Sequence, residues 1–152
     1  MSATAYIATT YKKEVLQGIH LSSDTYKMLL VKPSPSGTYD ATLTNVGTPG
    51  TGTPSTSNVG TDEVSGTGYT SGGNTLSGFA VSSSGTTAWL TFSDTSWASS
   101  TISAAFGVIY NSTQSGKVVC VIDFGGTFSD TAGTFTYSFP TADATHAQVR
   151  LA

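Results

Sequence analysis

Few residues in this 152-residue sequence are of types that do chemistry, and their spacing gives them little to do together. One cysteine, Cys120, allows neither a disulfide within the chain nor an all-cysteine metal cage. A nucleophilic thiolate needs exposure and a neighbouring base. Cys120 instead sits in Val118-Val119-Cys120-Val121-Ile122, so it is expected to be an inert core residue. His20 and His146 stand at opposite ends of the sequence. Neither has a second His, Cys or carboxylate at ligand spacing, whereas a metal centre needs several donors together. His20 is expected to pack at a helix exit, and His146 to face out from the last strand.

The other candidates are no stronger. Asp62-Glu63 is the one adjacent acidic pair, too few oxygens for calcium, and is expected to be solvated in a loop. Asp123-Phe124-Gly125 spells the magnesium motif of protein kinases, but no glycine-rich loop with its strand lysine and no His-Arg-Asp loop accompanies it. It is expected to end a strand at a sharp turn, with Asp123 bonding turn backbone. The glycines of residues 66–73 lack a following Lys-Ser or Lys-Thr, and Asp94-Thr95-Ser96 lacks the glycine of an aspartic-protease turn. Asn111-Ser112-Thr113 fits a glycosylation sequon but reads more simply as a hairpin turn. Trp89, Trp97 and Tyr69 could form a sugar platform, although tryptophans of a sandwich more often fill core and rim. No catalytic, cofactor-binding or metal-binding residue is assigned, and no enzyme activity is expected.

The elements that would position these residues are mostly strands. One short helix is expected near the start, capped by Thr10, with Tyr11, Val15 and Ile19 on one face and Gly18 at its end. Lys12 and Lys13 would then lie in its first turn, the wrong sign for the helix dipole. Strands are expected at 24–32, 38–44, 74–82, 86–92, 102–110 and 117–124. Phe135, Tyr137 and Phe139 alternate with hydroxyl residues in a half-buried strand, and Ala147, Val149 and Leu151 face inward from a last one. The apolar runs 106–110 and 118–122 suggest central strands covered on both faces. Trp89, Phe92, Phe106, Val108, Val119, Val121, Phe135 and Tyr137 are the expected core. Turn residues at 84–85, 111–116 and 125–133 separate these runs at sandwich spacing. Residues 47–74 are nearly free of apolar side chains and are expected to be a flexible Gly/Thr/Ser/Pro-rich loop. The fold expected is one all-β domain over 1–152, an antiparallel β-sandwich or jelly roll with a short N-terminal helix.

Composition narrows the partners. Only 10% of residues are charged, against about 25% in soluble domains generally, and Ser, Thr and Gly take their place. Net charge is −3, with six scattered Lys and Arg. Nucleic acid requires a clustered basic face, as does an anionic membrane surface, so neither is an expected partner. The start of the chain lacks the pattern of a signal peptide, and no apolar run is long enough to span a bilayer, so synthesis and solubility in the cytoplasm are expected.

Gly66-Thr67-Gly68-Tyr69-Thr70, Gly72-Gly73-Asn74-Thr75-Leu76, Asp94-Thr95-Ser96-Trp97 and Phe106-Gly107-Val108-Ile109-Tyr110-Asn111 occur in that order. Cys120-Val121-Ile122-Asp123-Phe124-Gly125-Gly126 and Gly133-Thr134-Phe135-Thr136 follow. Together with Tyr11-Lys12-Lys13-Glu14 and Ser23-Asp24-Thr25, this series resembles a group of small virion structural proteins of tailed bacteriophages. Residues 47–60 depart from the group's pattern in being richer in Gly, Thr and Pro. The resemblance implies a non-enzymatic protein of the virion, with a capsid decoration or cement protein on the outside of a phage head as the leading expectation. It would be made in the host cytoplasm, and its partners would be the major capsid protein and copies of itself, in a trimer at local three-fold points. Residues 47–74 and 1–10 would serve as arms. A tail or head-fibre component and a carbohydrate-binding sandwich are the alternatives.

Overall fold

Two stretches that bury nearly every side chain decide the architecture, because a strand covered on both faces must lie inside a sheet. In a computed structural model, which describes residues 3–152, these stretches belong to β6 (Thr95–Asn111) and β7 (Lys117–Tyr137). The two form one long antiparallel pair joined at 112–116. Around it lie β1 (Thr4–Ile7) beside β7, then β2 (Tyr26–Val31) and the two-residue β3 (Asn74–Thr75) beside β6. The sheet order is β1-β7-β6-β2-β3. A second sheet, in the order β4-β5-β8, comprises β4 (Ala80–Ser84), β5 (Thr87–Thr91) and β8 (Val149–Leu151). Every pairing is antiparallel, so the chain is all-β and sandwich-like with a single α-helix, α1 (Thr9–Leu16), among the described residues.

Helix α1 ends as its sequence dictates but does not begin so. Gly18 takes a φ of +69°, its N–H bonds Val15 O, and the N–H of Ile19 reaches back to Glu14 O. That is a Schellman closure, which uses a left-handed residue after the last turn. At the other end Ala8, not Thr10, is the N-cap; Thr10 lies inside the helix with its hydroxyl buried and unpartnered. The earlier start moves Lys13 from the first turn to the last, where a cation suits the dipole.

Three other expectations are corrected. Residues 38–44 are not a strand: Asp40 accepts from both the N–H and the hydroxyl of Thr42 in a local turn, and Tyr39 and Leu43 are anchors in the core. Residues 4–7 are no free arm, since β1 is registered against β7 from Thr4↔Asp123 to Ile7↔Cys120; the first two residues lie outside the described ones. Residues 125–133 are not a turn. β7 runs through them, accommodating 124–127 opposite the lone Ala105 as a wide bulge. Asp123 does accept from Gly125 N at 2.8 Å, so its backbone role is as expected although the strand continues.

The segment 47–74 is the largest correction. Polar bonds substitute for the apolar burial it lacks. Asn58 Oδ1 accepts from Thr48 and Gly60 N–H, and its Nδ2 donates to the carbonyls of Thr51 and Thr53. Val59 and Val64 reach the core, and backbone bonds tie Val59 to Val46 and Val64 to Leu30. Gly73 approaches β2 so closely that a Cβ there would collide with the carbonyl of Met28. The loop is folded onto the sheet.

Of the expected core, Phe92, Val108, Val119, Val121 and Phe135 are buried, while Trp89, Phe106 and Tyr137 are half-buried. Ala147 and Val149 are buried as expected. Gln148 is also buried, its side chain accepting from the Tyr137 hydroxyl.

Candidate functional site

The closure at Gly18 folds His20 back over its own helix, and this creates a polar cluster. His20 Nε2 lies 2.9 Å from Glu14 Oε2, and Lys117 Nζ donates to Glu14 Oε1 at 3.1 Å. Asn111 Nδ2 donates to Asp24 Oδ2 at 2.7 Å and lies 3.2 Å from His20 Nδ1. With that amide donating, Nδ1 accepts, which leaves the ring proton on Nε2 facing Glu14. Burial would raise the Asp24 carboxyl, but bonds from Asn111, Leu21 N–H and Gln114 hold it below its ordinary value. The His20 ring packs 4.7 Å from that of Tyr11, whose hydroxyl burial pushes up to about 12.

This is the arrangement of an oriented general base, yet both ring nitrogens are engaged and the side chain is 2% exposed. Among the described residues no Ser, Cys or Thr nucleophile bonds to it. The cluster ties α1 to β6 and β7, as expected of a histidine at a helix exit. Sequence spacing missed Glu14 because a residue six positions away becomes a neighbour only when a left-handed glycine reverses the chain between them.

Asp62 and Glu63 are not solvated; both are buried. Asp62 accepts from the N–H groups of Ser36 (3.0 Å) and Gly37 (2.7 Å), and from the Ser36 and Tyr39 hydroxyls, with Lys32 Nζ at 3.2 Å. Burial alone would raise its carboxyl, but these donors bring it down to about 2. Glu63, facing the other way, accepts from the Tyr69 hydroxyl, Ser71 Oγ and Gly72 N–H. Asp62 holds residues 36–39 to the 60–62 turn, and Glu63 holds residues 69–72 to it. Both oxygens of Asp62 are fully engaged, and both oxygens of Glu63 are held by the loop it closes.

The remaining candidates fall where the fold needs them. Cys120 is fully buried, and burial pushes its thiol up to about 12. Asn111 is wholly buried, its Oδ1 accepting from Gln114 N–H in the hairpin turn. His146 is exposed but lies in the turn before β8 and not on that strand, where Asp143 accepts from its N–H and pairs with its ring. The glycines of 66–73 pack against β2 and β6 instead of cradling a ligand. Trp97 is 2% exposed, stacked 6.1 Å from Tyr69 on one side and set edge-on to Phe135 on the other, while Trp89 belongs to the other sheet. The three cannot form one exposed platform. No group of three His, Cys, Asp or Glu side chains among the described residues could hold a metal ion. No helix among them is long and apolar enough to cross a membrane.

What stands exposed is a surface. Beyond the reach of β1 and β2, β6 and β7 continue as a two-stranded ribbon whose rungs are Ser96↔Thr136, Ala98↔Thr134, Thr101↔Thr131 and Ser103↔Ser129. All eight side chains are exposed and none is charged. Ser103 and Ser129 share a 2.7 Å hydroxyl contact, and Thr101 Oγ1 accepts from Ala132 N–H. The opposite face buries Trp97, Ile102, Ala104 and Phe135. At about 3.4 Å per residue the hydroxyl face runs for roughly 25 Å.

No family model matches this chain, and neither a curated protein nor a solved structure does.

The eight side chains of the hydroxyl face include no carboxylate, imidazole or thiol to hold a metal or carry a proton. The face can dock. Rotatable hydroxyls donate or accept as a partner requires, and burying them costs far less desolvation than burying ions. A cleft of about 230 Å³ lies between α1 and the β4-β5-β8 sheet. Tyr11, His20, Tyr26, Phe79, Val81 and Leu90 line it.

Proposed function

We propose that this chain is a non-enzymatic structural protein of a phage virion, a capsid decoration or cement protein. It binds the outside of the head, and its partners are the major capsid protein and copies of itself. The observation that carries the reading is the uncharged hydroxyl face of the β6–β7 ribbon. A protein that stabilises a shell by mass action must bind the assembled lattice in preference to its free subunits. An extended face without ions can do so with little desolvation penalty. The ordered motif resemblance in the sequence supports the phage setting. The burial of Cys120 and the engagement of His20, Asp62 and Glu63 in structural bonds support the absence of catalysis.

Co-sedimentation of the purified chain with undecorated heads tests the proposal. Binding is expected, and Thr101→Lys combined with Thr131→Lys should weaken it at least tenfold while circular dichroism stays unchanged. Each buried unpaired lysine costs several kcal/mol at such a contact. Absence of binding by the unaltered chain would overturn the head assignment. Antibody labelling of virions that marks the tail would establish a tail or fibre component instead.

A further inference from the structure

Sheet edges expose unpaired N–H and C=O groups, and folded proteins protect them with charge, proline, bulges or short length. Of the four strands that end the two sheets, three are protected. β3 is two residues long, and β8 is three residues with the exposed Arg150 at its centre. β1 is flanked by the C-terminal segment, for Ala5 and Ile7 share a surface cavity with Gln148 and Arg150. The fourth edge, β4, has no such protection. Its five residues, Ala80-Val81-Ser82-Ser83-Ser84, are all exposed and uncharged, without proline or bulge, and Val81 is 63% exposed.

The hairpin fixes which groups face outward. Gly85-Thr86 is a two-residue turn with Gly85 at φ +56°, closed by the pair Ser84↔Thr87. A two-residue turn makes its closing pair hydrogen-bonded, and bonded pairs then alternate along the ladder. Ser84, Ser82 and Ala80 therefore bond to β5. Val81 and Ser83 turn their N–H and C=O groups away from it, toward the open edge.

We propose that β4 pairs antiparallel with β4 of a second copy of this chain, about a two-fold axis at Ser82. In that register Val81 of each copy stands opposite Ser83 of the other, and the two pairs exchange four backbone hydrogen bonds. The donors and acceptors match without remainder, the condition for an isologous contact. Two three-stranded sheets become one of six strands, β8-β5-β4-β4-β5-β8. The two Val81 side chains become diagonal neighbours on one face and cover each other. No charge on either strand opposes the approach. The contact is independent of the decoration reading, and it makes a two-fold dimer in place of the three-fold trimer expected from the sequence.

Sedimentation velocity on the full chain over a concentration series reads the mass, and the expected species is a dimer. Ser83→Pro removes an outward N–H and leaves the β5 ladder its bonds, while Val81→Lys puts a charge on the edge. Each should halve the mass with the β spectrum retained. Register is read by cross-linking. Ser82→Cys places two thiols in a non-bonded antiparallel pair, with Cα atoms about 4.5 Å apart, within the disulfide range. Mild oxidation should give a covalent dimer. Ser84→Cys should not, because its two copies would stand roughly 14 Å apart. Cys120, fully buried, does not compete. A monomeric or trimeric unaltered chain, a dimer that survives both edge substitutions, or cross-linking at position 84 but not 82 would each overturn the proposal. Loss of capsid binding alone would bear on the decoration reading and leave this one intact.

Discussion

Replacing Asp62 with asparagine should cost about 2–4 kcal/mol at neutral pH, because each oxygen of that carboxylate already serves more than one donor. Oδ1 takes the N–H and hydroxyl of Ser36 and faces Lys32 Nζ; Oδ2 takes the N–H of Gly37 and the Tyr39 hydroxyl. An amide has one oxygen. Whichever way the new side chain turned, its NH2 would confront at least two donors in a site with no exposure. Buried groups would be left unpaired at about 1–3 kcal/mol each, partly relieved by local adjustment. The charge adds a pH signature. The folded-state value is about 2 against an ordinary 3.8, so between these the unfolded chain binds more protons. Stability from this group is complete above about pH 4 and is lost as pH falls through 2. Its size is about 2–3 kcal/mol at 1.36 kcal/mol per pH unit of difference.

Urea unfolding followed by tryptophan fluorescence, at pH 7 and in steps from 4 down to 2, measures both effects. The unaltered protein should lose stability steeply over the acid steps, and Asp62→Asn should start lower and lose less. A cost below about 1 kcal/mol at pH 7, or acid slopes that superimpose, would refute the view that this carboxylate clamps residues 36–39 onto the 60–62 turn.

Truncating Val121 or Phe135 to Ala should cost about 2–5 kcal/mol by chemical denaturation, since both are buried in the main sheet; near-neutral results at both would contradict the strand assignment. Cys120 should resist a thiol reagent in the folded state and label at once after denaturation, because it is buried and its thiol is held at about 12. Deleting residues 47–60 should unfold the domain and not merely trim an arm, as it removes Val59 and the Asn58 bonds; a cooperative, native-like thermal transition in the deletion would argue otherwise.

Apolar pattern made the central sheet legible. The runs at 106–110 and 118–122 lie in the middle of the main sheet, covered on both faces, and the Gly18 helix end follows from its sequence. Polar wiring was not legible. A segment such as 47–74 reads as disordered when only apolar side chains are weighed, yet Asn58, Asp62 and Glu63 each gather donors, in one case from 25 positions away. Nothing in the local sequence distinguishes a solvated Asp62-Glu63 pair from two carboxylates buried back to back. The same blindness hid Glu14 from His20. Polar side chains report their burial only through partners, and those partners are set by the fold.

The ribbon face was hidden for a different reason, a broken alternation. Trp97 and Ile102 are five residues apart, so in an unbroken strand they would face opposite ways. Both are buried, because Ser99 is an extra residue in β6 that shifts the phase. Ala132 is the matching extra residue in β7, and the register beyond the two bulges is the same as before them. Ser99 and Ala132 both adopt positive φ, near +50°, a conformation that costs a non-glycine residue of order 1 kcal/mol or more. Two such costs, one on each strand and a single rung apart, are offset by what the phase shift achieves. It brings Ile102 to the same buried side as Trp97, and it keeps Thr101, Ser103, Thr131 and Ser129 on the same outer side as Ser96 and Thr136. Without the paired bulges, Ile102 would interrupt the hydroxyl face and Ser103 would enter the core. The uncharged surface is therefore continuous because the backbone is strained at two points to make it so.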